Sequence, residues 1–318
     1  MKRKLRKAAS ALASVAVLLL AVTLLSYGLM FLAPGDPAET ILRAGGNMPT
    51  EEMILEKRHE MGLDQPFLKQ YWDWLVNFLR GDLGVSMVDG TNVTSELLRG
   101  LRYSAWLSVL ALGVGVVAAI PVGIYSAVKR NGWFDRITNF IVFLRLSMPA
   151  FLVGLGFLYL FAYRMKLVSI VSSGEGFKGV VLPVATLATG IACRMIRQIR
   201  TAVSDELRAP YVDGLRSRGL AEMDILFRHV LKNTMLPIIT LIALSFGSLL
   251  GGTAVTEIIF AYPGIGSIAI KAIGARDYTK IQGFVVIISL IFCLIYYLTE
   301  LSYGIFDPRL RKKERKTR

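Results

Sequence analysis

Six stretches of the chain carry no charged residue: Ala8–Gly35, Tyr103–Val128, Leu146–Tyr163, Gly179–Cys193, Asn233–Thr256 and Ile281–Thr299. A soluble core scatters its apolar residues at helix or strand period, whereas apolar runs of about 20 residues match the hydrocarbon thickness of a bilayer. The pattern predicts an all-α membrane protein with six spans, over about 8–33, 103–128, 138–163, 179–200, 233–257 and 281–304. The fourth run is the shortest, but Lys178 and Arg194 at its edges can snorkel to the headgroups.

Two connections have patterns of their own. In the long segment 34–102, Asp64, Gln65 and Pro66 form a helix-start signal, and Phe67, Tyr71, Trp74, Leu75 and Phe78 then recur at helical spacing. That apolar face, with Trp72 beside it, suits a helix lying along the membrane surface and equally one packed on the membrane domain. In the connection 201–232, Pro210 disfavours helix at the residue before it, so a first helix continuing from the fourth span should stop near Arg208. A short second helix over about Tyr211–Arg218 should end at Gly219, which can adopt left-handed backbone angles. A third should start near Ala221, with Glu222 and Asp224 in its first turn and Arg228, His229 and Lys232 towards its end, as the helix dipole favours. Such a short helix, held out on a glycine hinge, could pass force from a partner to the spans. A plain basic loop that only fixes topology is the alternative.

Composition agrees with a bilayer setting: 54% of residues are hydrophobic and 19% charged, with a mean hydropathy of +0.53, against about a quarter charged in soluble domains. The net charge of +14 could point to nucleic acid, so its distribution decides. Lys and Arg number 5 in the N-terminal tail, 3 in 129–136, 8 in 194–232 and 7 in 307–318, against 7, 3 and 3 in the alternate connections 34–102, 164–178 and 271–280. The bias of 23 to 13 predicts both termini in the cytoplasm and 34–102 outside, and it argues against a nucleic-acid partner. The first span follows a basic start like a signal peptide, but it is too long and lacks a small-residue cleavage site, so it reads as an uncleaved anchor. Cys193 and Cys293 have no metal or redox spacing and read as packing residues.

Catalytic chemistry is missing from the pattern. No G-x-x-x-x-G-K-[ST] phosphate loop and no G-x-S-x-G nucleophile motif occurs, and His59 and His229 fall on opposite sides of the expected topology. The chain therefore reads as a non-enzyme without catalytic, cofactor or metal residues. Within the spans, Arg145 and Glu257 are ionisable groups at depth and are candidate pore or gate residues. For Arg145 the alternative is snorkelling to the cytoplasmic face, and for Glu257 a solvated helix end.

The segment YVDGLRSRGLAEMDILFRHVLKNTMLP, 211–237, resembles the conserved cytoplasmic loop of binding-protein-dependent ABC importer permeases, with Gly219 and Leu236-Pro237 at the family's spacing. Asp213-Gly214-Leu215 stands where the family opens with Glu-Ala-Ala. Further stretches are similar to the dipeptide/oligopeptide/nickel permeases: Pro34-Gly35-Asp36-Pro37, Gly62-Leu63-Asp64-Gln65-Pro66, Gly81-Asp82-Leu83-Gly84, 251–266, Ala275-Arg276-Asp277-Tyr278 and Asp307-Pro308-Arg309. The stretch VSIVSSGEGFKG before the fourth span matches loosely, and Leu298-Thr299-Glu300 departs from the family pattern.

The resemblance implies a type I ABC importer permease fold and import of short peptides or of nickel, chelated or free. It implies a second homologous permease, two ABC ATPases holding ATP and Mg, and an extracytoplasmic solute-binding protein as partners, all at the cell membrane. It also implies an ATPase-coupling loop comprising Asp213, Gly214, Leu215, Arg216, Ser217, Arg218, Gly219, Leu220, Ala221 and Glu222. A secondary transporter or channel acting alone is the main rival and a purely structural membrane subunit the third reading. The rival would be expected to place ionisable groups or broken helices near the midplane, and apart from Arg145 the spans carry none.

Overall fold

A computed structural model describes residues 2–32, 35–44, 48–168 and 176–306, with side chains described from Ala13 to Tyr297 except at 44, 176–178, 236, 250 and 251. Pro34, Asp307-Pro308-Arg309, the basic tail 307–318 and residues 169–175 of the loosely matching stretch lie outside the described residues. In chain order the helices are α1 (Lys2–Leu32), α2 (Pro37–Ala44), α3 (Glu51–Glu60), α4 (Phe67–Leu79), α5 (Val93–Val128), α6 (Trp133–Ser147) and α7 (Ala150–Phe157). There follow α8 (Gly176–Glu206), α9 (Pro210–Ser217), α10 (Glu222–Asp224), α11 (Leu231–Gly252), α12 (Ala254–Ile259), α13 (Ile265–Ala275) and α14 (Tyr278–Phe306). Wider π turns extend α7 over Leu158–Arg164 and join α10 to α11 over Ile225–Val230.

Among the described residues four helices are long and apolar enough to cross a membrane, and six spans result when each of two bent helix pairs counts as one. The expected third span, 138–163, is one of these pairs: α6 and α7 meet at 101°. The cause is local. Met148 is extended (φ −92, ψ 129) because Pro149 disfavours the helical region for the residue before it, and Pro149 then starts α7. The second pair, Glu222–Met235 and Pro237–Leu249, bends by 45° at Pro237, whose ring cannot donate to the helix ladder. The fifth expected span, 233–257, is likewise split between α11 and α12.

The chain divides into two compact units, 1–103 with 263–294 and 104–262 with 295–318. In the first, the apolar face expected on 67–78 packs on α1. Phe67 and Tyr71 meet Tyr27 edge-on at 5.7 and 5.8 Å, and the Tyr71 hydroxyl lies 3.0 Å from that of Thr23. Of the two placements left open by the sequence, packing on the membrane domain is the one this face adopts. Leu83, Val93, Leu97, Ile265 and Ile287 form the core of this unit. Beside it Lys280, whose side chain is 8% exposed, pairs with Asp89 at 2.6 Å and Glu96 at 2.8 Å, and lies 3.9 Å from Asp277. Asp277 also accepts from the Ser86 hydroxyl at 2.5 Å. Burial works against ionisation of Asp89, but hydrogen bonds from Lys280, Thr91 and Ser86 hold its carboxyl well below the usual range.

The second unit is built around α8. A Cβ at Gly115 would lie 3.0 Å from Ile191 and one at Gly123 2.9 Å from Ile199, so bare glycines let α5 approach α8 at two levels. Arg200 of α8 makes a bidentate pair with the buried Asp135 at the start of α6, at 2.5 and 2.7 Å. Asn131 and Asn139 donate to the same carboxylate, which leaves this buried charge well compensated.

Candidate coupling site

The connection after α8 is an ordered platform. Pro210 supplies the first residue of α9, where its missing N–H is no loss. Val212 is fully buried, and Leu215 and Leu220 pack on the same core that contains Ile225, Leu226 and Val230. A second set of contacts is polar: the Tyr211 hydroxyl donates to Glu206 at 2.7 Å, and the Asn233 amide donates to Glu206 at 2.7 Å and to Tyr211 at 3.2 Å. Desolvation, and then the Glu206 carboxylate, raise the Tyr211 pKa, so the phenol stays protonated and able to donate. The end of α8, α9 and the start of α11 are thereby tied into one piece.

Gly219 closes the α9 turn with φ +79, the left-handed conformation expected of it. There the amides of Gly219 and Leu220 reach the carbonyls of Arg216 and Leu215 at 2.9 and 3.3 Å. Arg216 donates to Glu222 at 2.7 and 3.3 Å and to Asp213 at 3.0 Å. The Arg216 hydrogen bonds hold the Glu222 carboxyl below its usual range. Arg216 is therefore engaged largely in closing the turn. No sequence pattern hinted at this role, because its partners lie three and six residues away around a bend. Asp213, Gly214, Ser217, Arg218, Ala221 and Glu222 remain exposed on the outer side, beside the exposed apolar Met223 and Phe227.

The two candidate pore groups lie elsewhere. Arg145 crosses from the last turn of α6 to α8, donating to the Thr189 hydroxyl and the Thr186 carbonyl, both at 3.2 Å, and to the Met148 carbonyl at 3.4 Å. It braces the α6–α7 break. Glu257 is not a solvated helix end: it is 0% exposed and accepts from the hydroxyls of Ser104 and Thr253, both at 2.6 Å. The correction follows from the turn after α12, where Ala261 takes φ 51 and the Tyr262 amide returns to the Glu257 carbonyl, so that Phe260, Tyr262 and Glu257 are buried together. The Asp135–Arg200 network left only isolated charges near span ends as a trace in the sequence, and the Lys280–Asp277 network only the stretch Ala275-Arg276-Asp277-Tyr278, which says nothing of its partners.

The two broken spans, against the expectation that the spans carry none, suit a lone transporter as well as an importer subunit, so kinship decides between them. Residues 119–312 match the family described as binding-protein-dependent transport system inner membrane component, and residues 4–99 match its N-terminal module, so the chain belongs to that family. Among its relatives is the glutathione transport system permease protein GsiC of Pectobacterium atrosepticum, 35% identical over 93% of this chain and 95% of that protein. GsiC of Escherichia coli is 32% identical over 92% of this chain and 94% of its own length. Two solved structures share the fold. The MetNI methionine ABC transporter, in inward-facing conformations, matches with a TM-score of 0.55, 18% identity and coverage of 66% of this chain and 96% of that one. An amino acid ABC transporter with histidines matches with a TM-score of 0.52, 15% identity and coverage of 65% and 92%. The chain is thus a multi-pass inner-membrane permease subunit of an ABC importer with the type I fold, and it is not itself an enzyme. As an inner-membrane component of a binding-protein-dependent system it works with ATPase and solute-binding partners. A transporter or channel acting alone is set aside.

Proposed function

We propose that this permease imports short peptides and that α9 carries the stroke of partner ATPases into its spans. The observation that carries the reading is the build of the 206–233 connection. A loop that only fixed topology would need neither the buried Val212 nor the Glu206–Tyr211–Asn233 tie, whereas a lever needs both. The importer then comprises this chain, a second homologous permease, two ATPases that hold ATP and Mg, and an extracytoplasmic binding protein. Both termini lie in the cytoplasm, in keeping with the excess of Lys and Arg on that side. The peptide assignment is supported by relatives named for transport of glutathione, a tripeptide.

The test is uptake of labelled tripeptides by the whole importer in proteoliposomes, with nickel as competitor. ATP-dependent uptake that requires the binding protein and resists nickel is expected; uptake of nickel alone would replace the cargo. Sidedness is tested by labelling Met48→Cys, at a site 98% exposed, and Ser217→Cys with an impermeant thiol reagent on cells with a permeabilised outer membrane. Met48→Cys should react and Ser217→Cys should not. The reverse pattern would overturn the orientation.

A further inference from the structure

The spans differ in what they show outward. The exposed residues of α1 are chiefly leucines with Val17 and Phe31, those of α6 include Ile137, Phe140, Ile141, Phe143 and Leu144, and α14 shows Leu290, Phe292, Leu294 and Tyr296. These faces suit lipid. Helix α8 is the opposite: from 179 to 206 every exposed residue is polar, namely Arg194, Arg197, Thr201 and Asp205. At about 100° per residue these four fall on one stripe, about 16 Å long. The third arginine of the helix, Arg200, turns inward to Asp135, so a paired arginine has a different address on the same helix.

Depth separates the Arg194 and Arg197 half of this stripe from a solvated helix end. Arg200 and Ser204 meet Asp135 and Arg130 at the basic 129–136 connection, which marks the inner edge of the membrane. Arg194 lies six residues further in, about 9 Å along the helix. Facing hydrocarbon there, a guanidinium would be strongly disfavoured. Among the described residues neither Arg194 nor Arg197 has an acidic partner in this chain, and Arg194 is close enough to Arg145 for the two to repel. Arg197, Gln198 and Thr201 also line an open groove against Pro237 and Thr240 of α11, with largely apolar walls.

We propose that this stripe of α8 lines the aqueous path through the importer and that Arg194 and Arg197 attract carboxylate-bearing solutes along it. The cargo class rests on the peptide reading; the aqueous path does not. Apolar groove walls beside the Arg197 guanidinium, with Arg194 one turn further along the stripe, suit a molecule with hydrophobic side chains and a terminal carboxylate.

The assembled importer, lacking Cys193 and Cys293 by replacement with alanine, is given a single thiol as Arg194→Cys, about 9 Å inside the membrane edge, as Thr201→Cys at the inner mouth or, as a lipid-facing control, as Val117→Cys, which is 74% exposed. Each is treated with an anionic sulfonate-bearing and a cationic trimethylammonium-bearing methanethiosulfonate reagent, rates being taken relative to a free thiol in solution. Arg194→Cys should react at least about 10-fold faster than Val117→Cys, since only a hydrated thiol ionises readily. At Thr201→Cys the anionic reagent should be favoured by about 10-fold, and Arg194→Gln with Arg197→Gln should remove that preference. Reaction at Arg194→Cys no faster than at Val117→Cys would mean that lipid or a partner chain covers the stripe, and would overturn the aqueous path. A reagent preference unchanged by the glutamines would overturn the carboxylate role. If wild-type importer took up no tripeptide while the preference persisted, the peptide reading alone would fall.

Discussion

Gly219 is the position at which coupling can be broken without touching the spans. Its φ is +79, and a Cβ built there meets nothing within 4 Å, so a side chain is resisted by backbone conformation alone and not by crowding. Left-handed geometry costs an L-residue about 1–2 kcal/mol, more when the side chain is β-branched and least for Asn. A cost of about 1–2 kcal/mol lowers the ratio of seated to unseated α9 by roughly 5- to 30-fold. The expected order of transport is therefore Gly219, then Asn, then Ala, then Val. Membrane abundance should stay near wild type, because α8 and α11 are held by contacts that do not pass through Gly219. The assay is tripeptide uptake and ATPase co-purification for each variant, normalised to permease in the membrane. Wild-type uptake by Gly219→Val, or abundance falling in step with uptake, would refute the hinge.

Arg216→Glu should also uncouple, by setting a third carboxylate against Glu222 and Asp213, and the exchange Arg216→Glu with Glu222→Arg should recover much of the ATPase co-purification. An exchange no better than the single change would assign Arg216 to the partner instead. Because the Glu222 carboxyl sits below its usual range, its contribution is present at neutral pH and lost only as pH falls through that lowered range. Co-purification should thus be flat from neutrality to mild acid. Lys280→Met should destabilise the unit containing Asp89, Glu96 and Asp277 by about 3 kcal/mol, since it strands carboxylates beside a buried site, and an unchanged thermal midpoint of the purified importer would contradict that.

Much of this was legible from charge-free runs and from punctuation. The start of α4 after Pro66, the start of α9 at Pro210 and the left-handed Gly219 follow from chemistry that acts within a few residues. The break at Met148–Pro149 carried the same proline signal, but it fell inside a hydrophobic run, where hydropathy alone favours a continuous span. Pairings distant in sequence were not legible. Glu257 with Ser104 and Asp135 with Arg200 depend on which helices touch, and a lone charge near a span end looks the same whether it faces water or a partner. The polar stripe on α8 was hidden for the same reason, since Arg194, Arg197 and Arg200 differ only in what the fold sets against each.

The most direct measurement is ATP hydrolysis and tripeptide uptake by proteoliposomes containing this chain alone and, in parallel, the chain with its second permease, ATPases and binding protein. The lone chain, which has no phosphate loop, should do neither, and the full assembly should do both, with Gly219→Val lowering uptake per ATP. Uptake by the lone chain, or an unaltered uptake-to-ATP ratio in the variant assembly, would contradict a permease driven through α9.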